Sequence, residues 1–536
     1  MSRYIVRAIS GIAPLLALAL ASCAELPTDL GPEVPPVVAP PAYAGPFDGN
    51  LRLGVVPSAT EVRTGGTDTF VIRDRVTGAT LIEGVGETAT IQYSNQSIPG
   101  KTSWRLLVLC GTEAERDAKI ALANQKTTPT VNFAPYTQFN GTCWNVWLGD
   151  LSLATSTSTR NQFRAIAVQQ GLAKTTDQWQ RVTTVTQVAG FHIKVGNREA
   201  RTPNFVSVQA SSGRVTIQDQ PYNGGAVVYR NSAGTLSALN EIPLETYLRG
   251  VLPLVLPPDR YGQAEALKAQ AVAERTRALY NVGRHAAAGF DFYPGEFQPY
   301  GGTAVEHALS NAAIEATAGL VATFEGQLMD TPYHPSSGGW TANSEDVFDA
   351  AVPYLRGVVD SEQGHLLEHL TAVAFQVAAN TSLKNLSASE RGVWSNFQRW
   401  SVTWSRAEMA AALSAAYGLQ ITDVTAVRVT DRGTYGRVRR VEFDTNAGTL
   451  VAEKNDIRSK LRWMSVEGQW EHLSSTLFFL VEVTSGNTVT GWRVYGGGLG
   501  HGVGMSQIGA VTMAQGGRTF EEILARYYTG VVLEQR

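Results

Sequence analysis

Cysteine is scarce in this chain, with three residues in 536. No C-x-x-C pair occurs, which removes a thioredoxin-type redox site and the usual zinc-ribbon patterns. Cys110 and Cys143 lie in the body of the chain. Two cysteines cannot build a zinc site alone, so a disulfide in an oxidising compartment and a pair of buried thiols both remain open. An excess of basic charge is also missing. The formal net charge is −3, which gives no general affinity for nucleic acid. Arg437, Arg439 and Arg440 crowd one expected strand and read as a solvated face. The apolar run Ile9 to Ala21 is shorter than the about 20 residues of a membrane-spanning helix. A nucleophile elbow is absent where it would be sought: Ser506 sits in G-M-S-Q-I-G, not G-x-S-x-G.

The N-terminus reads as an export signal over residues 1–22. Arg3 and Arg7 supply its positive charge, and the apolar run ends in Leu20-Ala21-Ser22-Cys23. That ending resembles a bacterial lipobox, which implies cleavage before Cys23 and its lipidation. With Ala24 following the cysteine, the resemblance implies the outer membrane of a diderm envelope, facing the periplasm. Residues 23–48 are rich in Pro, Ala and Val and read as an extended tether.

Three further segments follow. Residues 49–100 alternate apolar and polar residues between Gly, Asp and Asn turns, as β-strands do. Residues 101–182 twice repeat a strand and then a helix, the helices expected at Glu113 to Asn124 and Ser158 to Gln170. This α+β module resembles the SPOR domain, which implies binding to glycan strands stripped of their peptides. An unrelated α+β insertion fits the pattern equally. Residues 183–536 begin with strands and continue into the clearest helix of the chain, Gln263 to Val282, with Leu267, Ala271 and Ala278 on one side. The fold class is α+β.

The most informative run is Gly500-His501-Gly502-Val503-Gly504-Met505-Ser506-Gln507. Its glycines let the backbone turn tightly and approach a ligand closely. His501, Ser506 and Gln507 add hydrogen-bonding groups. Ordered motifs precede it: Tyr247-Leu248-Arg249-Gly250-Val251-Leu252-Pro253, then Glu265-Ala266-Leu267-Lys268-Ala269-Gln270-Ala271, then Tyr333-His334-Pro335-Ser336-Ser337-Gly338-Gly339-Trp340. Gly436-Arg437-Val438 and Asp456-Ile457-Arg458 come later, and Tyr527-Tyr528-Thr529-Gly530 closes the series. In this order they resemble the stage II sporulation protein D / LytB amidase-enhancer family over roughly residues 235–536. The resemblance implies an α+β region with a groove for peptidoglycan glycan strands. The groove would pass His501, Gly502, Gly504, Ser506 and Gln507 and the turn Ser336, Ser337, Gly338 and Gly339. Trp340 or Trp492 would offer a flat apolar face to a sugar. The resemblance also implies a cell-wall amidase or other hydrolase as partner.

Active relatives carry a catalytic Glu just after the Val-Pro step, as the general acid of a lytic transglycosylase. Here that position is Val255, which cannot carry a proton. Glu274, where relatives usually have Ala, and Asp259 are the candidates for a relocated acid. Some relatives bind zinc near an F-D-x-C segment. Here Phe290-Asp291-Phe292-Tyr293 lacks the cysteines, so no metal or other cofactor is expected there. His365-Leu366-Leu367-Glu368-His369 has H-x-x-E-H spacing but no marked third ligand, and reads as a solvated helix. Two functions stay open: a glycan-binding lipoprotein that assists cell-wall hydrolysis, and an active lytic transglycosylase with a relocated acid. The lipobox reading makes one direct prediction. Cys23→Ala should move the protein from the membrane to the soluble fraction of the envelope, and unchanged fractionation would contradict it.

Overall fold

The computed structural model describes residues 47–360 and 370–536, apart from the side chains of 95–98 and 186–188. The signal, Cys23, nearly all of the tether and His365–His369 lie outside these residues. Helices and strands are mixed along the chain in an α+β arrangement. Among the described residues no helix is long and apolar enough to cross a membrane.

The N-terminal strands and those after residue 185 belong to one β-rich body. Asn50–Ala59 pairs antiparallel with Leu236–Pro243, from Asn50 opposite Pro243 to Ala59 opposite Leu236. The pairing brings Phe70, Ile72, Ile91, Ile193, Val206, Val228 and Leu239 into a common core. Alternation of side chains across the pleat explains why these residues share one face.

The expected boundaries at 100/101 and 182/183 fall inside strands. Thr88–Gly111 and Gln178–Val195 run continuously from the β-rich body into the inserted module. They pair antiparallel from Ala89 opposite Val195 to Leu107 opposite Gln178, with one bulge between Pro99 and Thr102. The Pro99-Gly100 step looks like a turn in sequence, and a bulge absorbs it instead.

The module has the order strand, helix, strand, strand, helix, strand. Its helices are Glu113–Lys126 and Thr157–Gln169, within two residues of the expected bounds. A capping box at Thr112 and Glu115 starts the first helix, and the Ser156 side chain caps the second. Trp144–Leu151 pairs antiparallel with both Tyr136–Phe139 and Thr88–Gly111. The sheet is thus fully antiparallel and carries its own small core of Leu106, Phe133, Leu148 and Ala167. Cys110 and Cys143 form a disulfide, with Cα atoms 5.5 Å apart.

Residues 244–536 pack around two larger cores and a smaller cluster of Trp340, Phe375, Leu477 and Tyr495. One holds the helix Ala264–Tyr280 at its centre. The expected one-sided helix is buried nearly all round, because its alanines let neighbours approach from every side. Ala266, Ala269, Ala271, Val272 and Ala273 are all 0% exposed. Arg275 is sealed inside and held by a two-pronged ion pair to Glu245 at 2.6 and 2.7 Å. The other core gathers Trp400, Trp404, Leu413, Phe443, Trp463, Phe478 and Trp492 beneath antiparallel sheets. Trp340 and Trp492 are therefore wrapped in protein, 1% and 0% exposed, and neither offers a face to a sugar. Arg437 corrects the reading of a solvated trio: it is 0% exposed, while Arg439 and Arg440 form ion pairs with Asp431 and Glu453.

The disulfide joins residues 33 apart. In the chain-entropy account a bridge of that span is worth roughly 2–4 kcal/mol. Replacing Cys110 and Cys143 by Ser should speed hydrogen exchange in Trp144–Leu151 and leave Ala264–Tyr280 unchanged. Equal exchange in both forms would contradict this.

Candidate functional site

Three stretches meet at the joint between the last two cores: the short helix Leu252–Val255, the loop 332–342, and the glycine-rich run 497–507. The run and the loop are knitted through their backbones. Tyr333 and His334 pair in parallel with Met505 and Ser506. Ser336 and Leu499 exchange hydrogen bonds, and the Ala342 amide donates to the Gly502 carbonyl at 2.7 Å. The amides of Gly497, Gly498 and Gly500 donate to the Leu477, Phe397 and Ser474 carbonyls. The glycines thus serve close approach between protein segments. Gly502 has φ +84°, and a Cβ there would lie 2.0 Å from the Arg437 guanidinium. A Cβ on Gly504, φ +72°, would lie 2.0 Å from the Pro332 carbonyl oxygen. No L side chain fits at either position.

Few of the residues expected to meet a ligand reach the surface. Ser506 is buried, and its side chain caps the helix Gln507–Gln515 by accepting from the Gly509 amide at 3.2 Å. Ser337 is buried and donates to Asp360, and Ser336 is 5% exposed. Gly338 is buried against Gly497, while Gly339 is partly exposed. His501 is partly exposed and lies tilted against Phe348, with ring centroids 5.5 Å apart, and Phe348 is 38% exposed. Its Nδ1 accepts from the Val503 amide at 3.1 Å. Burial, reinforced by the nearby cations Arg458, Arg277 and Arg437, lowers its pKa to about 3. His501 is therefore a neutral imidazole at any physiological pH. His334 lies behind it with ring centroids 5.5 Å apart, and burial keeps it neutral as well.

The residue that sequence reasoning placed in the groove and the structure moves furthest is Gln507. It is 1% exposed. Its Nε2 donates to the Val255 carbonyl at 2.8 Å and to Gln270 Oε1 at 3.2 Å. Gln270 Nε2 in turn donates to Glu274 Oε1 at 2.7 Å. Gln298 Nε2 donates to Glu274 Oε2, and the Tyr247 hydroxyl donates to Gln298 Oε1 at 3.0 Å. The Tyr333 hydroxyl is hydrogen-bonded to Glu274 too. A continuous buried polar chain thus runs from the Val255 backbone to Tyr247. Gln270, Gln298, Tyr247 and Tyr333 were missed. Gln270 and Glu274 carried a signal: polar residues at i, i+4 in an alanine-rich helix share one face.

Val255 is 5% exposed and packs in the helical core, while its neighbour Leu254 is 41% exposed. Glu274 is 0% exposed, and burial raises its pKa to about 7. Asp259 points into solvent, its side chain 91% exposed beside His307 at 3.3 Å. One carboxyl is sealed from any substrate and the other has no enclosing wall. Asp291 is buried and accepts from the Arg52 and Gly283 amides at 2.8 and 3.0 Å. Among the described residues no three His, Cys, Asp or Glu side chains are grouped to hold a metal.

The family profile described as stage II sporulation protein matches residues 232–324, which carry Val255, Gln270 and Glu274. A domain of unknown function (DUF8618) matches residues 342–504, which end in the glycine-rich run. An uncharacterized protein of Brachyspira hyodysenteriae is 30% identical over 309 residues, 57% of this chain and 71% of that protein. The chain belongs to the stage II sporulation protein D / amidase-enhancer family. The stage II sporulation protein D of Bacillus subtilis is 28% identical over 347 residues, 61% of this chain and 83% of its own length. The amidase enhancer of the same organism is 27% identical over 300 residues, 53% of this chain and 40% of its own length.

Glu274 gives the site a pH signature. Its folded pKa of about 7 stands above the model-compound value of 4.5, so the folded state holds a proton that the unfolded chain has lost. Stability should fall as pH rises between these values, by roughly 3 kcal/mol in total, and level off above. Glu274→Gln should flatten that slope in denaturant titrations at pH 4.5 to 8. An unchanged slope in the variant would contradict the assignment.

Proposed function

We propose that this chain is a lipid-anchored envelope protein that binds peptidoglycan glycan strands and assists their hydrolysis by another enzyme. In this reading it has no efficient cleavage of its own. The carrying observation is the fate of the acid. Val255 occupies its position with an isopropyl group, Glu274 is sealed behind it among glutamine amides, and Asp259 stands in open solvent. A general acid must reach the glycosidic oxygen with a proton to give, and none of the three does so.

What remains at the surface suits holding a sugar chain. His501 keeps part of a neutral imidazole exposed, Phe348 and Leu254 present exposed apolar area, and Gly339 leaves room for a ring to approach. Sugars combine hydroxyls with flat C–H faces, so neutral polar groups beside apolar ones suit them. The amidase enhancer among the relatives supports a hydrolase as partner. Anchoring through Cys23 and the tether would place this surface at the cell wall.

Restoring the acid tests the reading. General acid–base catalysis contributes typically ~10²–10⁴-fold in rate. The burial at position 255 would raise the pKa of a carboxyl placed there. Val255→Glu, if folded, should release anhydro-muramyl products from denuded glycan strands well above wild type. Val255→Gln, of similar size, should not. Binding of wild type to denuded sacculi should fall in His501→Ala/Phe348→Ala. No gain from Val255→Glu and unaltered binding by the double variant would together sink the proposal.

A further inference from the structure

The buried polar chain has a direction, and Glu274 sets it. An ionised carboxylate only accepts hydrogen bonds. Gln270 must therefore turn its amide N–H toward Glu274, as it does at 2.7 Å. That leaves the Gln270 oxygen facing Gln507, so Gln507 must also present N–H. With its nitrogen fixed there, the second proton of the same amide reaches the Val255 carbonyl at 2.8 Å. Val255 is the last residue of the four-residue helix Leu252–Val255, whose terminal carbonyls have no partner within the helix. We propose that Glu274 is a positioning residue for the segment 252–256: ionised, it orients two successive glutamine amides and so ties down the Val255 carbonyl, and protonation releases that tie.

The release follows from donor and acceptor counting. Gln270 and Gln298 both present N–H to Glu274, beside the Tyr333 hydroxyl, and a proton carried on Oε1 puts an O–H against the Gln270 amide that already presents N–H. Turning the Gln270 amide over relieves the conflict on that side and places two N–H groups face to face with Gln507. Gln507 then turns in its place and withdraws its donor from Val255. Gln507, Gln270, Glu274 and Gln298 are each 2% exposed or less, so water does not readily replace the missing bonds.

The tyrosines around Glu274 keep their protons while it titrates. Tyr247 on the helix Leu244–Arg249 and Tyr333 on the knitted loop have hydroxyl pKa values raised by burial well above their usual value. Tyr528, beyond the helix Phe520–Tyr527, is raised by burial in the same way. Arg277, one turn beyond Glu274, pairs with Asp330 at 3.0 Å. Between mildly acid and mildly alkaline pH, Glu274 is the group of this cluster that titrates, with a pKa of about 7. The inference concerns the protein's own segment and does not depend on what the groove binds.

Hydrogen–deuterium exchange on the full chain, corrected for intrinsic rates, tests it. At pH 5.5 peptides covering 250–257 should exchange at least threefold faster than at pH 8.0. Peptides from Trp400–Ser405, in the other core, should not change. Glu274→Gln should show the same exchange of 250–257 at both pH values. Equal protection of 250–257 at both pH values in wild type overturns the proposal, and so does a pH dependence retained by Glu274→Gln. If Glu274→Gln fails to fold, the wild-type comparison decides alone, with Gln507→Leu as a second variant. That variant lacks the donor to Val255 and should exchange fast and independently of pH.

Discussion

The close approach of two glycine-rich segments is the constraint on which the rest of this structure rests. The run 497–507 and the loop 332–342 come together backbone to backbone, with the Arg437 guanidinium packed where a Gly502 side chain would be. Arg437 is wholly buried and donates to the Ser337 and Trp340 carbonyls at 3.1 and 3.3 Å. Burial lowers its pKa to about 9, so it is still a cation at neutral pH. Val503 and Met505 of the run belong to the helical core, and Leu499 packs on the tryptophan-rich one. One short segment thus fastens two cores and sets where His501 emerges.

Behind that joint, polarity is concentrated in a single connected chain. Buried amides and a buried carboxyl are tolerated only where each finds a partner. Gln507, Gln270, Glu274, Gln298 and Tyr247 meet that condition by bonding to one another. The arrangement gives the acidic residue of the region a structural setting inside the protein, and Val255 beside it is packed in the same helical core. The proposed role as a glycan-binding assistant rests on that enclosure of Glu274, which keeps its carboxyl from any bound strand.

Much of this was legible in the sequence. Alternating strands, helix bounds within two residues and the order of the family motifs came from local pattern, which survives folding. The two long strands were not legible, because the Pro99-Gly100 step mimics a turn. Nor was the burial of Arg437, Trp340 and Gln507. Composition suggests an exposed arginine, a sugar-facing indole and a ligand-binding amide. Only tertiary packing shows that each is enclosed between elements far apart in sequence. Of the run, His501 keeps part of its side chain exposed. Val255 and Glu274 stood out at the sequence level as substitutions at motif positions. The hydrogen-bonded link between them, through a glutamine 252 residues beyond Val255, required the fold.

The most direct measurement is product analysis with the unaltered protein. Purified wild type is incubated with denuded glycan strands until binding saturates, and the strands are then examined by mass spectrometry for anhydro-muramyl ends. The account predicts strands that are bound and intact. Accumulation of anhydro-muramyl ends over many turnovers per molecule would contradict it.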